Sequence, residues 1–477
     1  MAEREFDAIV LGAGAPGEVC AGRLADGGLR VAIVESHLVG GECSYYACMP
    51  SKALLRPGEL LAEARRVPGV AAAVTGELDP QAVLDRRDEV IHDLDDSGQL
   101  PWLEQREIEL FRGEGRLEGE RRVVVGETTL IAARAVVVAT GSSAAMPPID
   151  GLDSVRAWNN RDATTAKRVP ASIVVLGGGP VGCELAQAWS TLGAAVTLVE
   201  GERQLLPREE PFAGEQVAGS LRDSYGVDVR TGVRAQRVAE RAAHPTLTPP
   251  QGGESRMRQT EAGVAVTLDD GSRLEAEEIL VAVGRKPRTE GIGLESTGIE
   301  PGERGFLETD ERLRVGARDW LYAVGDVNGR ALLTHIGKYQ AWVAAENMLG
   351  REVEAIAEGL GAPRVTFTDP QVAAAGKTLA QAEEAGIDAC AIDVPTDGTA
   401  GASFYGKGTG GTSRLVIDQT TQTIVGATFT GFETADLLHA ATIAIVSETP
   451  LPHLRHAVAA YPTRSEIWLK LLETYGL

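Results

Sequence analysis

The sequence has few cysteines, few aromatic residues and fewer basic than acidic residues. Its 477 residues include five cysteines, which are too few for a disulfide-stabilised scaffold. Lys and Arg number 46 against 68 Asp and Glu, so the formal net charge is −22. Because nucleic-acid phosphates are bound by basic surfaces, this balance argues against a nucleic acid as the main partner.

Long apolar runs are also absent. The longest candidates resemble Ala135–Ala139, far short of the roughly 20 residues that cross a bilayer. Met1–Phe6 is a short charged tail before an apolar strand, without the basic region, apolar stretch or cleavage site of a signal peptide. We therefore expect a cytoplasmic protein with no membrane partner.

Two segments repeat one order of elements: an apolar strand, a glycine-rich turn, a helix, a second strand and an acidic residue. The first begins at Asp7–Leu11 and ends at Glu35, and the second begins at Ser172–Leu176 and ends at Glu200. Glycines allow a tight turn and close approach of a pyrophosphate to the helix N-terminus, and the acid accepts ribose hydroxyls. The candidate cofactor-binding residues of the two turns are Gly12, Gly14, Pro16, Gly17, Gly177, Gly179 and Gly182.

Other segments set the expected organisation. Arg134–Gly141 predicts a buried strand that ends in a turn, Pro147–Pro148 a linker, and Glu278–Gly284 the strand that closes the second nucleotide-binding unit. His244–Thr260 lacks periodicity, which predicts a flexible inserted loop.

The pattern changes beyond about Gly350, which predicts an α+β domain. The strands predicted there are Arg414–Asp418 and Ile424–Ala427, and the helices are Thr434–Glu448 and Ser465–Glu473.

Cys43 and Cys48 form the one close cysteine pair. A zinc site is disfavoured because it needs four ligands, and no second Cys/His group of suitable spacing exists. Two cysteines five apart at the start of a helix can close a small disulfide, and their thiolates gain from the helix dipole and from a cation such as Lys52. The pair therefore predicts a switchable disulfide.

With these motifs in this order, the chain resembles the FAD-dependent pyridine nucleotide–disulfide oxidoreductases, the group of dihydrolipoamide dehydrogenases, glutathione reductases and mercuric reductases. The other motifs that carry the resemblance are Ala139–Gly141, Tyr322–Asp326 and Phe367–Pro370. It implies an α/β fold with two doubly wound, Rossmann-like nucleotide-binding domains and a C-terminal α+β dimerisation domain. The implied boundaries are 1–150 for FAD, 151–280 for NAD(P), 281–350 for a central segment returning to the FAD domain, and 351–477 for dimerisation.

The resemblance also implies residue roles. Cys48 is expected to face the flavin as the charge-transfer thiolate, and Cys43 to be the interchange thiol that attacks the acceptor. Lys52, also counted among the cofactor-binding residues, and Glu184 are expected to form an ion pair near flavin N5. Asp326 is expected to hold the ribityl or phosphate region. The remaining expected cofactor-binding residues are Glu35, Gly41, Thr140, Gly141, Glu200 and Gly284.

NAD(H) is expected to be preferred over NADP(H). Glu200 accepts hydrogen bonds from a ribose diol but repels a 2′-phosphate. Arg203 weakens this argument, whereas Leu206 stands where NADPH-using relatives often carry another Arg.

Tyr461 replaces a histidine of the family's C-terminal motif, while Glu466 of that motif is kept. In the expected homodimer both lie beside the partner's Cys43. An imidazole can give or take a proton at neutral pH, whereas a phenol can only donate one, so oxidation of dihydrolipoamide is disfavoured. His453 and His456 are expected to have surface or packing roles.

Other departures narrow the function. Mercuric reductases resemble one another in a C-terminal cysteine pair that delivers the metal ion, and this sequence carries no such pair, so mercury reduction is disfavoured. Tyr45 and Tyr46 either pack against the flavin or the sheet, or one of the rings narrows the substrate entrance or stacks on a planar acceptor such as a quinone. The other cysteines are expected to be buried and unreactive; they are Cys20, Cys183 and Cys390.

The predicted enzyme passes electrons from NAD(P)H through FAD and the Cys43–Cys48 disulfide to a small-molecule acceptor of the disulfide type. Two alternatives remain. One is a reductase of quinones or other electrophiles that works directly from reduced flavin, and the other is a redox-sensing flavoprotein with slow turnover.

Overall fold

The computed structural model is a mixed α/β protein and describes residues 2–242, 245–247, 257–259 and 262–477. Its strands are β1 Ala2–Leu11, β2 Val31–Glu35, β3 Glu109–Arg112, β4 Gly115–Leu117, β5 Arg122–Val125, β6 Thr128–Val138, β7 Ser142–Ala144, β8 Ser172–Leu176, β9 Ala195–Glu200, β10 Asp228–Thr231, β11 Ala235–Arg241, β12 Pro245–Leu247, β13 Met257–Gln259, β14 Gly263–Leu268, β15 Arg273–Ala276, β16 Glu278–Val281, β17 Arg285–Pro287, β18 Leu321–Ala323, β19 Arg364–Thr366, β20 Gln371–Gly376, β21 Ala389–Pro395, β22 Thr412–Asp418 and β23 Thr423–Gly431.

Short 3₁₀ turns connect many of the elements. The helices are α1 Ala15–Asp26, α2 Gly41–Tyr45, α3 Cys48–Arg66, α4 Pro80–Val90, α5 Leu100–Glu104, α6 Asn160–Thr165, α7 Pro180–Thr191, α8 Pro211–Asp223, α9 Thr334–Met348, α10 Ala357–Leu360, α11 Leu379–Glu384, α12 Leu438–Val446, α13 Leu451–Leu454 and α14 Ile467–Tyr475.

The chain divides into two compact units, each assembled from separate stretches of sequence. The N-terminal unit contains the residues up to Pro50 together with Arg87–Ser143 and Arg285–Arg364. The C-terminal unit contains Ser51–Arg86, Ala144–Gly284 and Val365–Leu477.

The N-terminal unit is built on a sheet with the order β3-β2-β1-β6-β5-β4, and β18 pairs with β6. The strands β3, β2, β1, β6 and β18 are parallel. Side chains on both faces of the C-terminal half of β1 are buried, as expected for a parallel sheet covered on both sides. Because β18 joins this sheet, a segment about 300 residues downstream contributes to the unit that contains the first glycine turn.

The prediction that Met1–Phe6 is a tail is wrong for its described residues. The strand β1 begins at Ala2, and Ala2–Phe6 pair with residues Thr128–Ala132 of β6. The first four described side chains are exposed, so the hydrophobic pattern of the sequence does not indicate a strand at these positions. Backbone hydrogen bonding to the long strand β6 extends β1 instead.

The C-terminal unit holds a parallel sheet of order β10-β9-β8-β16, a small sheet β11-β14-β15 and a sheet β19-β20-β23-β22-β21. The helix α7 is buried along most of its length, and Trp189 in it has no exposed surface. A separate apolar core lies on the third sheet and includes Phe429 of β23 and Leu471 of α14.

Several predicted boundaries shift by a few residues. The strand predicted for Glu278–Gly284 ends at Val281. The two predicted C-terminal helices each begin with a 3₁₀ turn, so α12 starts at Leu438 and α14 at Ile467. Within the predicted loop His244–Thr260, β12 pairs with β13 in antiparallel fashion, and the other loop residues lie outside the described ones.

Candidate active site

The first glycine turn joins β1 to α1 in the N-terminal unit. Gly12 has φ +103°, a conformation that favours glycine, and a Cβ on Gly17 would overlap the carbonyl oxygen of Gly12. The Glu35 carboxylate accepts a hydrogen bond from the Ala13 N–H at 2.7 Å and another from the His37 N–H at 2.7 Å. The acid that ends β2 therefore holds the turn in place.

The second glycine turn repeats this geometry in the C-terminal unit. Gly177 has φ +107°, a Cβ on Gly182 would overlap the Gly177 carbonyl oxygen, and the Gly178 N–H donates to Glu200 at 2.5 Å. A Cβ on Gly179 would meet no atom within 4 Å, which leaves open space at the start of α7.

Open space of the same kind lies at Gly14, where the nearest atom to an added Cβ is 4.0 Å away. A backbone that is free of side chains at a helix N-terminus fits a dinucleotide pyrophosphate. Both turns thus suit nucleotide cofactors.

The two cysteines of the pair both belong to the N-terminal unit and lie in consecutive helices. Cys43 is in α2 and Cys48 begins α3. The two side chains are unbonded thiols that hydrogen-bond each other, and Thr334 Oγ1 lies 3.5 Å from Cys48 Sγ. The hydrogen bond to Cys48, and then burial, raises the pKa of the Cys43 thiol. Thr334 was missed by sequence reasoning, because nothing local in the sequence marks it.

The segment before Cys43 packs against the first glycine turn. A Cβ on Gly41, which has φ +65°, would lie 2.7 Å from Gly14 Cα. Glu42 pairs with Arg288 at 3.0 Å. The predicted residue Gly41 therefore lies directly beside the first glycine turn.

Asp326 lies in a turn after β18 and accepts a hydrogen bond from Ser142 Oγ at 2.5 Å. Arg285 Nε is 3.5 Å from the same carboxylate. Thr140 Oγ1 donates to the Arg288 carbonyl oxygen at 2.7 Å. Sequence reasoning missed Ser142 and Arg285, although each adjoins a predicted residue. The predicted residues Gly141 and Gly284 have positive φ, at +71° and +145°.

The expected ion pair of Lys52 and Glu184 is present in the C-terminal unit, with 2.6 Å between Nζ and Oε2. Glu184 is 4% exposed, and its other oxygen accepts the Phe367 N–H at 2.9 Å. Lys52 Nζ also lies 4.7 Å from the centre of the Phe367 ring. Backbone and ring contacts therefore fix this pair in one geometry.

Tyr461 and Glu466 differ sharply in exposure. Tyr461 is 77% exposed, and its phenol hydrogen-bonds no residue that the structure describes. Glu466 Oε2 is buried and has no hydrogen-bond partner among those residues. The carboxylate thus does not orient the phenol, and His453 and His456 are exposed.

Tyr45 and Tyr46 are buried, with 1% and 7% of their surface exposed. They pack with Ile91, and the Tyr46 hydroxyl lies 2.8 Å from His37 Nε2. Both rings therefore pack in the interior against Ile91, Leu38 and Leu94, none of which lies in a strand, and rings buried in this way offer no face to a planar acceptor. Packing against the flavin stays a prediction.

The remaining cysteines follow the prediction in part. Cys20 and Cys183 are fully buried, and burial raises the pKa of Cys20 to about 12. Cys390 is only half-buried, because it lies on β21 at the edge of its sheet.

The described part of the chain contains no group of three His, Cys, Asp or Glu side chains that could hold a metal ion. No helix within it has the length and apolar character needed to span a membrane.

Comparison with known proteins agrees with this geometry. The family model for pyridine nucleotide-disulphide oxidoreductases matches residues 6–348, and the model for the dimerisation domain of that family matches residues 362–472. The dihydrolipoyl dehydrogenase of Thermus scotoductus is 34% identical, over 97% of this chain and 96% of the relative. The mercuric reductase of Staphylococcus aureus is 30% identical, over 97% of this chain and 81% of the relative.

Solved structures share the fold. The HOCl-induced flavoprotein disulfide reductase RclA of Escherichia coli superimposes with a TM-score of 0.82 at 24% identity, over 98% of this chain and 99% of that one. LpdA of Mycobacterium tuberculosis gives 0.82 at 23% identity, over 100% of both chains. The chain belongs to the pyridine nucleotide–disulphide oxidoreductases and is an FAD-dependent NAD(P)H oxidoreductase with a redox-active cysteine pair.

Proposed function

We propose that this enzyme uses NADH to reduce a small-molecule disulfide, with Cys43 as the attacking thiol and Cys48 as the thiol that faces the flavin. The observation that carries the proposal is the placement of Cys43 and Cys48 in consecutive helices, with the Thr334 hydroxyl 3.5 Å from Cys48 Sγ. FAD held by the first glycine turn and Glu35 would supply two-electron transfer between the nicotinamide and the Cys43–Cys48 disulfide.

Two thiol–disulfide exchange steps would carry the electrons from the reduced cysteine pair to the acceptor, with no other reactant. The Cys43 thiolate attacks the acceptor disulfide, forms a mixed disulfide and releases the first acceptor thiol. The Cys48 thiolate then attacks the Cys43 sulfur, which releases the second thiol and restores the Cys43–Cys48 bond. The sum is one disulfide, one NADH and one proton converted to two thiols and NAD⁺.

The cofactors are assigned from the two glycine turns. The first turn with Glu35 would hold the adenosine part of FAD, with Thr140, Gly141 and Asp326 along the rest of the molecule. The second turn with Glu200 would hold NADH. The Glu200 carboxylate would repel the 2′-phosphate of NADPH, which favours NADH. Arg203, the nearby cation that could weaken this preference, has an exposed side chain.

Tyr461 would supply a proton to the departing thiolate of the acceptor. Its exposed phenol suits donation across a homodimer interface to an acceptor at the partner's Cys43. A phenol is a poor base at neutral pH, so the proposed direction is disulfide reduction rather than the dithiol oxidation named for the dihydrolipoyl dehydrogenase relatives. Thiol chemistry of this kind suits the reducing cytoplasm.

The test is anaerobic reduction of the holoenzyme by NADH, followed by assay with a panel of disulfides. We expect a long-wavelength charge-transfer band and disulfide reduction that Cys43→Ser abolishes. Cys390→Ser is the matched control, because this half-buried cysteine lies outside the pair. Simple flavin bleaching with turnover of quinones that survives Cys43→Ser would overturn the proposal.

A further inference from the structure

Lys338 presents a positive charge beside the cysteine pair. It stands one helical turn after Thr334 on α9, so the two side chains share a helix face. Thr334 is the residue whose hydroxyl lies 3.5 Å from Cys48 Sγ. Lys338 is exposed and, among the residues that the structure describes, forms no ion pair or hydrogen bond.

The charge of Lys338 acts on two neighbours. It lowers the pKa of the Cys43 thiol, against the larger opposing effects of Cys48 and burial. It also acts on Glu18 of α1, the helix that packs along α9. Burial raises the pKa of Glu18 to about 7, so near neutral pH this carboxyl carries only part of a negative charge. Glu18 therefore neutralises Lys338 incompletely.

This cation lies in a chain of net charge −22. An acidic surface repels anions in general, whereas a local cation beside a reactive thiol attracts them. A lysine ammonium can pair with a carboxylate, sulfonate or phosphate of a bound molecule.

We propose that the disulfide acceptor carries a negative charge near its sulfur atoms and that Lys338 binds this charge beside Cys43. The inference rests on the proposed function and adds the charge class of the acceptor.

The first test measures the electrostatic potential at Cys43 without turnover. Reduced holoenzyme is alkylated under anaerobic conditions with iodoacetate, an anion, and with iodoacetamide, its neutral analogue, and adducts at Cys43 are counted by peptide mass spectrometry. We expect the ratio of the iodoacetate rate to the iodoacetamide rate to fall about three- to tenfold in Lys338→Met. It should be kept in Lys338→Arg and in Lys377→Met, which removes the same charge from the C-terminal unit.

The second test compares turnover of 5,5′-dithiobis(2-nitrobenzoate), 4,4′-dithiodipyridine and cystamine, which are anionic, neutral and cationic disulfides. Lys338→Glu should lower kcat/KM for the anion roughly tenfold or more and raise it for cystamine, with a smaller change for the neutral compound. Failure to reduce any disulfide would overturn the proposed function. Reduction of all three with unchanged ratios in both tests would overturn the role of Lys338 alone.

Discussion

Thr334 Oγ1 lies 3.5 Å from Cys48 Sγ, although 286 positions separate the two residues in the sequence. The hydroxyl lowers the pKa of the neighbouring Cys43 thiol. It thus connects the start of α9 to the redox pair within one unit.

Thr334→Val should slow alkylation of the reduced pair by iodoacetamide about two- to tenfold at neutral pH, because a net hydrogen bond of about 0.5–1.5 kcal/mol is lost. The pH profile of alkylation should shift to higher pH. Thr334→Ser keeps the hydroxyl and should leave the profile in place. An unshifted profile in Thr334→Val would show that the contact has no influence on the thiols.

Glu184→Ala should destabilise the protein by roughly 1–3 kcal/mol, because it leaves the Lys52 ammonium and the Phe367 N–H without their acceptor. Thermal unfolding of the purified protein measures this. Glu109→Ala is the control, since its pair with Arg4 is exposed at both ends and such pairs contribute little. Equal losses of stability in the two variants would show that the buried Lys52–Glu184 pair stabilises the protein no more than an exposed pair does.

Two glycines of the second turn should respond differently to alanine. Gly182→Ala should lower stability, by about 1–3 kcal/mol, because its Cβ would overlap the Gly177 carbonyl oxygen. Gly179→Ala should fold normally, since its Cβ meets no atom within 4 Å, yet weaken NADH binding severalfold. Melting temperature and the NADH Kd separate the effects. Normal NADH affinity in Gly179→Ala would place the pyrophosphate elsewhere.

Glu18 should make stability depend on pH. Its pKa is about 7 in the folded protein against 4.5 ordinarily, with burial as the main cause and Lys338 and Glu35 as the facing charges. The folded protein favours the protonated carboxyl, so Glu18 contributes to the free energy of unfolding in full below about pH 4.5. This contribution is lost as the pH rises through about 7 and the buried group ionises. Glu18→Gln should therefore raise the melting temperature more at pH 8 than at pH 5. A difference that does not vary with pH would contradict the shifted pKa.

Tyr461→His should raise the rate of general disulfide reduction roughly tenfold or more, because an imidazole can both give and take a proton at neutral pH. Steady-state assays with a neutral disulfide measure this. Tyr461→Phe should slow the same assay, and His453→Gln should leave it unaltered. If the histidine variant matches the wild type, proton transfer by residue 461 does not limit the reaction.

The sequence predicted those parts of the site that have local signatures. A glycine turn between a strand and a helix is visible in a few residues, and Lys52 follows the cysteine pair by one helical turn. Thr334 and Lys338 have no such signature, because α9 joins the unit that contains the cysteines only on folding. Arg285 meets Asp326 only when β18 joins the same unit.

The sequence-based predictions that differ from the structure do so for physical reasons. The strand β1 extends to Ala2 through backbone pairing, to which hydrophobic patterns are blind. Tyr45 and Tyr46 follow Cys43 in the sequence, but the short helix α2 turns their rings into the interior beside Ile91. Adjacency to Cys43 along the chain therefore did not mean that the rings are exposed.

The two acids at the glycine turns have a consequence for cofactor affinity. Glu35 and Glu200 each accept two backbone N–H groups through different oxygens, one of them from the glycine turn and the other from two residues after the acid. Each carboxylate oxygen keeps a further lone pair for a ribose hydroxyl. Both turns are thereby preorganised before a nucleotide arrives, so the loss of loop entropy falls on folding and not on binding.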